Sequence, residues 1–329
     1  MPRIQERLDR VWPRRGILAT EAGRRVVTDV VLLTGLAFVA STLVVGAAVA
    51  VGMSTALLGR DEAGHVAVGM SAGLLVVLGT FFVLPVFGRL SRLGDDVRLL
   101  ELCDPGAPLL REMMDRAPGT YSHSIITGSL AEAAAREVGA DALLARVGAY
   151  YHDIGKLCRP RFFVENQVGV RNPHDDAAPS QSAFIITAHV REGVELARHA
   201  RLPEPLIDII EQHHGTSLVM YFYRKATEHG GSVDEAAFRY EGPRPRSAEA
   251  AVVMLADACE AAARAMGEGG ALAIEEAVRR VTAAKTDDGQ LSESGLSEEQ
   301  IEAITLVYAK MLAGVRHPRV EYPEPAAQL

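Results

Sequence analysis

Two long runs without a charged side chain lie in the N-terminal part of the sequence, and they restrict what this part can form. The first run covers residues 30–59 and the second covers residues 66–88. Each is longer than the roughly 20 apolar residues that a helix needs to cross a bilayer. The alternatives are a cleaved signal peptide and a buried helix, but the first run is too long for a signal-peptide core and a second run follows it. We therefore predict a two-helix transmembrane hairpin in contact with membrane lipid.

The basic residues around this hairpin predict its orientation. The flanking arginines are Arg14, Arg15, Arg24, Arg25, Arg89, Arg92 and Arg98. The connection between the two runs, residues 60–65, contains one arginine. Because positive charge is enriched on the cytoplasmic side, we expect both ends of the hairpin in the cytoplasm and the protein in the cytoplasmic (inner) membrane. Gly69 and Gly73 have the GxxxG spacing that lets membrane helices approach closely, which leaves a homodimer open.

Charge and cysteine content exclude several classes of function. The chain has 34 basic and 42 acidic residues and a formal net charge of −8. This balance argues against a broad surface for a nucleic acid polymer, although it permits a compact cationic pocket. Cys103, Cys158 and Cys259 lie far apart and lack CxxC spacing. A disulfide framework and a zinc ribbon are therefore not expected, and a reducing compartment fits best.

The remainder of the chain shows helical periodicity and almost no strand pattern, which predicts an all-α architecture. We divide the chain into a cytoplasmic N-terminal segment (1–29), the two transmembrane helices (30–88), a linker (89–117), a helical bundle (118–315) and a C-terminal tail (316–329). Within the bundle we expect helices over residues 120–138, 182–200 and 206–214, and a polar loop between Pro160 and Pro179.

Two local patterns make these expectations more specific. The first helix places His123, Ile126, Leu130 and Ala134 along one face, which we expect to point inward. Near the C-terminus, Ser297 and Gln300 have the spacing of a capping box, so a helix is predicted to begin there. Its apolar stripe is Ile301, Ile304, Tyr308 and Met311.

Two adjacent His-Asp pairs differ in their surroundings. His152-Asp153 follows an apolar stretch and precedes Ile154, so we place it at the buried end of a helix. His174-Asp175 lies in the polar loop, where a solvated turn is the expected structure. A single His-Asp pair is weak evidence for a metal site, because such pairs also arise by chance.

The wider set of histidines and carboxylates is more informative than either pair. A dinuclear metal site needs imidazole and carboxylate ligands, including one carboxylate that can bridge two cations. The candidate metal ligands are His123, His152, Asp153, His189, His213, His214 and Asp257. Asp257 interrupts an apolar helical stripe, where burial of a carboxylate without a cation or donors is costly. Each histidine alone is more often an ordinary core or surface residue, and the joint occurrence favours a metal centre.

Several ordered motifs also carry a resemblance to a known family. They are Pro118–Ser124, Tyr150–Lys156, Phe162–Gln167, Ala188–Val190, Gln212–Thr216 and Met254–Asp257. In this order they resemble the HD-superfamily phosphodiesterases of the seven-transmembrane HD (PgpH) type, over about residues 100–322. The resemblance implies an HD-domain helical bundle, two divalent transition-metal ions, iron or manganese, and hydrolysis of cyclic di-AMP to pApA.

The resemblance also implies how the ligands are divided. His123, His152, Asp153 and Asp257 would hold one ion, and Asp153, His189, His213 and His214 the other, so that Asp153 bridges the two. One departure from the family is visible in the sequence. Proteins of this type have a large extracellular domain and a set of membrane helices, of which only the final two spans have counterparts here.

The reaction expected from such a site is attack of a metal-activated hydroxide on a phosphodiester. Asp153 and Lys156 are the candidate catalytic residues, with Lys156 supplying a fixed positive charge near the phosphate. A cyclic di-GMP phosphodiesterase ranks second, because Gly215-Thr216-Ser217 follows the histidines instead of a Gly-Tyr-Pro segment. Another HD nucleotide phosphohydrolase and a non-catalytic, membrane-tethered dinucleotide receptor remain alternatives.

Overall fold

The computed structural model describes residues 96–167, 169, 171–228, 233–266 and 270–315, together with Ser71 and Gly79. From Leu102 onward the described residues belong to one compact unit. None of the helices in these ranges is both long and apolar enough to cross a bilayer. The predicted N-terminal segment, the membrane hairpin except for Ser71 and Gly79, the GxxxG pair and the C-terminal tail lie outside the described residues.

The unit is a helical bundle, and the all-α prediction is confirmed for the described part of the chain. The α-helices in chain order are α1 (Pro108–Arg116), α2 (Pro118–Val138), α3 (Ala142–Tyr151), α4 (Pro179–His199), α5 (Glu204–Gln212), α6 (Met220–Glu228), α7 (Ala248–Ala265), α8 (Ala271–Asp287) and α9 (Glu298–Val315). The 3-10 helices are Ile154–Cys158, Pro160–Phe162, Val164–Asn166, Pro173–Asp176 and Glu235–Phe238. An isolated β-bridge joins Leu218 to Arg239.

Small residues allow the central helices to pack closely. Helix α7 runs through the core, which is formed with residues of α2, α3, α8 and α9. A Cβ atom on Gly128 of α2 would lie 2.4 Å from the ring of Tyr150 in α3. Glycine at this position therefore lets α2 and α3 approach each other, which brings their buried polar residues into reach of α7.

The helix boundaries follow local signals in the sequence. Helix α2 begins with Pro118 at its first position and ends before Gly139, whose φ of 76° is in the left-handed region that favours glycine. In α3, the side chain of Asp141 accepts a hydrogen bond from the backbone N–H of Leu144. Helix α3 then ends at Tyr151, so that His152 directly follows it.

Two predictions about individual residues are wrong. Ile126 is 40% exposed, because the buried face of α2 runs through Thr120, His123 and Thr127 and leaves Ile126 at its flank. His174 is buried and does not lie in a solvated turn. Its ring packs against Phe162 and its Nε2 atom lies 2.9 Å from the carbonyl oxygen of that residue.

Other local expectations agree with the structure. The capping box is formed, since Ser297 N–H donates to Gln300 Oε1 at 3.0 Å and Gln300 N–H donates to Ser297 Oγ at 3.3 Å. Ile304 and Tyr308 of the predicted apolar stripe are buried in the core.

The segment predicted as a linker contains α1, whose Leu109 and Leu110 are fully buried. This helix therefore packs as part of the bundle.

Candidate metal centre

The candidate ligands come from separate segments of the bundle, and the structure brings all of them together. His123 lies in α2, His189 in α4 and Asp257 in α7. The two adjacent pairs each directly follow a helix, His152-Asp153 after α3 and His213-His214 after α5. The sequence predicted a helix over residues 206–214, whereas α5 covers Glu204–Gln212. Both histidines therefore lie in the turn that follows the helix.

Asp153 stands at the centre of this cluster and is 1% exposed. Its Oδ2 atom lies 3.2 Å from His152 Nε2 and 3.8 Å from His123 Nε2. Its Oδ1 atom lies 3.3 Å from His189 Nε2 and 3.8 Å from His213 Nε2. The two oxygens of one carboxylate thus face two different groups of imidazoles, which is the arrangement that a bridging ligand requires.

Asp257 and His214 complete the two groups. Asp257 Oδ1 lies 3.0 Å from His123 Nε2 and 3.8 Å from His152 Nε2, and Asp257 Oδ2 lies 3.8 Å from His214 Nδ1. We call His123, His152 and Asp257 the Asp257 side of the centre. We call His189, His213 and His214 the His214 side. Asp153 faces both sides.

Three of the imidazoles are oriented by their own helices. The Nδ1 atoms of His152, His189 and His213 lie 2.6, 2.6 and 2.8 Å from backbone carbonyl oxygens three residues earlier. Since a carbonyl only accepts hydrogen bonds, Nδ1 carries the hydrogen and the lone pair of the neutral ring is on Nε2. In each case Nε2 is the atom that faces Asp153, as metal-binding histidines require.

A close contact between backbones also fixes the position of Asp153. Gly155 lies in the 3-10 helix that follows Asp153, and a Cβ atom on it would lie 1.8 Å from the carbonyl oxygen of His189. A larger residue at this position would separate the turn that carries Asp153 from the helix that carries His189. Glycine is thus needed for the two ligands to meet.

Buried atoms without hydrogen bonds show that the cluster fits cations. His152 Nε2 and Asp153 Oδ1 are buried and form no hydrogen bond with any described residue, and Asp153 Oδ2 is buried with the Lys156 ammonium 2.7 Å away. Most buried polar atoms in proteins have a partner, so such a concentration needs an explanation. Imidazole nitrogens and carboxylate oxygens are a suitable donor set for divalent transition metals. The residues present therefore fit divalent metal binding.

Electrostatics distinguish the two sides. Burial opposes the ionisation of Asp153, but His152 and Lys156 hold its pKa well below the usual range. Burial also opposes a charge on His152, yet the Asp153 carboxylate raises the pKa of His152 to about 10. On the other side, burial and His152 lower the pKa of His213 to about 3, and burial and His213 lower the pKa of His214. His213 and His214 are therefore neutral imidazoles, whereas a proton would compete with a cation that binds at His152.

Comparisons with known proteins agree with this geometry. The HD domain family matches residues 120–262. The crystal structure of the HD domain of phosphodiesterase PgpH from L. monocytogenes has 43% sequence identity to this chain and a TM-score of 0.62, and the match covers 64% of this chain and 100% of that domain. A second structure of that domain, in complex with cyclic di-AMP, gives a TM-score of 0.63 and covers 64% of this chain and 99% of the other.

This chain belongs to the PgpH family of HD-domain proteins. The curated relative from Bacillus subtilis, named cyclic-di-AMP phosphodiesterase PgpH, is 41% identical over 302 residues, which are 92% of this chain and 42% of that protein. The PgpH protein of Listeria monocytogenes is 43% identical over 242 residues, which are 74% of this chain and 34% of that protein. The chain thus spans less than half the length of these PgpH relatives.

Lys156 occupies a defined place in this PgpH-type centre. Its Nζ atom lies 2.7 Å from Asp153 Oδ2 and 2.8 Å from Glu165 Oε1, and it lies over the ring of Phe163 at 5.0 Å. Burial opposes its charge, but the carboxylates of Asp153 and Glu165 raise the pKa of Lys156. The ammonium group is therefore held at the metal centre between two carboxylates.

Sequence reasoning assigned no role to three residues of the centre, although one of them, Glu165, lies within the quoted motif Phe162–Gln167. Glu260 Oε2 lies 2.5 Å from His123 Nδ1. Glu165 pairs with Lys156, and the ring of Tyr240 stacks on His214 with centroids 4.2 Å apart. A signal for Glu260 was present, because it lies three residues after Asp257 on the same face of α7. Tyr240 lies in a connecting segment, where no periodic pattern identifies it.

Proposed function

We propose that this chain is a metal-dependent phosphodiesterase that hydrolyses a cyclic dinucleotide, with cyclic di-AMP as the substrate and linear pApA as the product. The observation that carries the proposal is the carboxylate of Asp153, whose two oxygens face the two sides of the centre. The names of the relatives and the cyclic di-AMP complex of the L. monocytogenes HD domain support adenine over guanine.

The ligand set would be divided as the geometry groups it. Asp153 with the Asp257 side would hold one cation, and Asp153 with the His214 side would hold the other, with iron or manganese as the metals. Two such cations, when bound, supply Lewis acidity that lowers the pKa of a water and polarises a phosphodiester. Asp153 would orient both sites, and Lys156 would fix the Asp153 carboxylate and supply positive charge next to the scissile phosphate.

The N-terminal region gives the proposed enzyme a membrane anchor. The charge-free runs 30–59 and 66–88 and the arginines that flank them support a hairpin in the cytoplasmic membrane with the HD domain in the cytoplasm. The GxxxG spacing of Gly69 and Gly73 supports a homodimer through the second run.

The experiment that tests this function uses the full chain in detergent with Mn²⁺. It is incubated with cyclic di-AMP and, separately, with cyclic di-GMP, and the products are identified by chromatography. We expect pApA from cyclic di-AMP and slower or no turnover of cyclic di-GMP. Tight binding of cyclic di-AMP without any product would instead identify a receptor, and faster cleavage of cyclic di-GMP would reverse the assigned specificity.

A further inference from the structure

His214 differs from the other histidines of the centre in how its ring is oriented. The rings of His152, His189 and His213 bond to carbonyls of their own helices, and His123 bonds to Glu260. Within the described part of the chain, no hydrogen bond orients the His214 side chain. Its position must therefore come from the backbone that carries it and from the groups that pack on its ring.

We propose that Gln290 is the positioning residue for His214, and that it completes the His214 side of the centre from outside the segment that matches the HD domain family. That segment ends at residue 262. This inference rests on the proposed function, because it assumes that the two sides of the centre hold two cations. It assigns a role to the turn between α8 and α9, which supplies none of the candidate ligands.

The side-chain amide of Gln290 holds the residue that lies two positions after His214. Gln290 Oε1 accepts a hydrogen bond from the backbone N–H of Thr216 at 2.9 Å, and Gln290 Nε2 donates to Thr216 Oγ1 at 3.0 Å. Gln290 is fully buried, so water does not compete for these bonds. After α5 ends at Gln212, the turn forms its own backbone bonds, from Gly215 N–H to the Gln212 carbonyl at 2.9 Å and from Ser217 N–H to the His214 carbonyl at 3.0 Å. The Gln290 amide adds a partner for Thr216 N–H, which these turn bonds leave free.

A second bond system fixes Gln290 itself. Its Nε2 atom also donates to Asp288 Oδ2 at 2.8 Å. Arg239 donates to both oxygens of Asp288 at 3.1 Å and to the backbone carbonyl of Thr216 at 2.8 Å. Both backbone polar groups of Thr216 are therefore held by one closed network, in which Gln290 and Arg239 are joined through Asp288.

The residue between His214 and Thr216 shows how closely this network approaches the ligand. Gly215 has a φ of 53°, in the left-handed region, and a Cβ atom on it would lie 2.3 Å from Gln290 Oε1. The sharp turn after His214 therefore passes directly against the Gln290 amide. Only glycine has both the conformation and the space that this turn requires.

The ring of His214 is held from the side as well. The ring of Tyr240 stacks on it at 4.2 Å with an interplanar angle of 27°, and the backbone N–H of Tyr240 donates to the carbonyl of Ser217 at 3.0 Å. Lys285 Nζ, from α8, donates to Ser217 Oγ at 2.7 Å. The segment from His214 to Ser217 is thus fixed by residues that are distant in sequence. The contacts span 23 to 74 positions along the chain.

This arrangement predicts a selective effect. Without the Gln290 amide, Thr216 loses the partner of its N–H, and the turn at Gly215 gains freedom. His213 keeps its bond to the Ile210 carbonyl and His123 keeps its bond to Glu260, so the contact of the Asp257 side that changes is the 3.8 Å approach of His214 Nδ1 to Asp257 Oδ2. Outer partners of metal ligands typically contribute about 10-fold to 100-fold in affinity. A Gln290 variant should therefore weaken one of two cations by this factor and leave the other unchanged.

The test compares the full-length wild type with Gln290→Ala by Mn²⁺ titration and electron paramagnetic resonance, in which two adjacent Mn²⁺ ions are spin-coupled. We expect the variant to bind one ion with wild-type affinity and the second about 10-fold to 100-fold more weakly. The coupled signal should give way to that of an isolated ion at limiting metal. Wild-type affinity for both ions in Gln290→Ala would overturn the proposal, and so would equal weakening of both.

Two further variants separate positioning from folding. In Gln290→Glu a carboxylate oxygen faces Asp288, so the network is repelled, whereas the double variant Gln290→Glu/Asp288→Asn restores a donor and an acceptor at this contact. We expect the single variant to weaken binding of the second ion and the double variant to regain part of it, because the introduced asparagine amide donates to the glutamate but no longer accepts from Arg239 Nη1. Gln300→Ala is the matched control, because Gln300 also bonds to backbone groups, Ser297 N–H and the Val138 carbonyl, far from the ligands. It should bind both ions as the wild type does.

A readout without metal distinguishes this proposal from the proposed function. Hydrogen exchange of the peptide that contains Thr216 should be faster in Gln290→Ala than in wild type, because the N–H of Thr216 loses its acceptor. Unchanged exchange would contradict the positioning role. If the wild type binds fewer than two ions while exchange still responds to Gln290→Ala, the proposed dinuclear function fails and the contact to Thr216 stands.

Discussion

The two sides of the candidate metal centre differ in the types of side chain that they contain. The Asp257 side contains a carboxylate of its own, and its His123 contacts a further carboxylate, Glu260, at 2.5 Å. The His214 side has three imidazoles grouped with the shared Asp153, and its approach to Asp257 is the 3.8 Å distance from His214 Nδ1 to Asp257 Oδ2. In the proposed centre the first side would attract a cation through negative charge, whereas the second would offer neutral nitrogen atoms that are already positioned. The two proposed sites would thus depend on charge and on geometry to different degrees.

The supports of the two sides differ in the same way. On the Asp257 side the outer partner of His123 comes from α7, the helix that also supplies Asp257. On the His214 side, His189 and His213 bond to carbonyls within one turn of their own chain, and His214 depends on the turn between α8 and α9. Changes to single residues should therefore affect the two sides unequally, unless they touch Asp153.

The largest effect is expected where the two sides meet. Asp153→Asn keeps the shape of the side chain but removes the charge that both sides share. We expect both cations to be lost or strongly weakened and hydrolysis of cyclic di-AMP to fall by about 10³-fold or more, since metal ions contribute several kcal/mol of transition-state stabilisation. Metal analysis and product chromatography on the same preparation measure the two effects together.

The second His-Asp pair provides the control for this variant. Asp175 is exposed and follows a histidine, as Asp153 does, but His174 bonds to the carbonyl of Phe162 and lies outside the centre. Asp175→Asn should retain full activity and both metals. Full turnover in Asp153→Asn with two bound ions would show that the carboxylate does not bridge the sides.

A pH titration of metal binding between pH 6 and pH 8 should separate the affinities of the two sides by about tenfold or more. The pKa of His152 is raised to about 10, so at pH 6–8 a cation on the Asp257 side must displace a proton, and its apparent affinity should rise about tenfold per pH unit. The pKa of His213 is lowered to about 3, so His213 releases no proton in this range. The affinity of the His214 side should change by less than about tenfold. Calorimetry in two buffers of different ionisation enthalpy measures the protons released for each ion, and equal proton release from both sides would contradict this difference.

A smaller and one-sided effect is expected from Glu260→Ala. The variant removes the group that orients His123 through Nδ1, and loss of such an outer partner typically weakens metal binding by about 10-fold to 100-fold. Only the ion on the Asp257 side should be affected, which is the opposite of the result expected for Gln290→Ala. Glu249→Ala, on the same helix but bonded to the backbone N–H of Asp141, is the control. Mn²⁺ titration measures both affinities, and weakening of the His214 side would contradict the assignment of Glu260 to one side.

The residues that cluster around Asp153 could be selected from the sequence because each lies in a short motif or interrupts an apolar pattern, and their role as metal ligands stays a prediction. His152 and Asp153 follow an apolar helix end, and Asp257 is a carboxylate in the stripe of α7. Their mutual distances were not predictable from periodicity, which describes one helix at a time. The residues that orient the ligands were harder to find, since Gln290 and its partner Thr216 are 74 positions apart.

Ile126 and His174, whose burial was predicted wrongly, also show that local sequence patterns do not determine tertiary contacts. Ile126 has the residue type of a core position, yet the face of α2 is decided by the polar ligand His123 and the residues above and below it. His174 lies among loop-forming residues, yet packing against the rings of Phe162 and Phe222 makes it part of a buried contact. In both cases tertiary contacts outweigh local composition.

The smallest effect is expected from a variant that changes the stability of the fold and acts on neither side of the metal centre. It serves as the reference for the one-sided variants. Ser297→Ala removes the acceptor for the N–H of Gln300 at the start of α9, which should cost about 1 kcal/mol of unfolding free energy. Helix α9 packs on α2 and α8, which carry His123 and the residues near Gln290, so any general loosening would reach both sides. We expect a lower denaturation midpoint and unchanged affinity for both ions. If this variant weakened one ion selectively, the one-sided effects of Glu260→Ala and Gln290→Ala would reflect stability transmitted through α9 instead of the orientation of individual ligands.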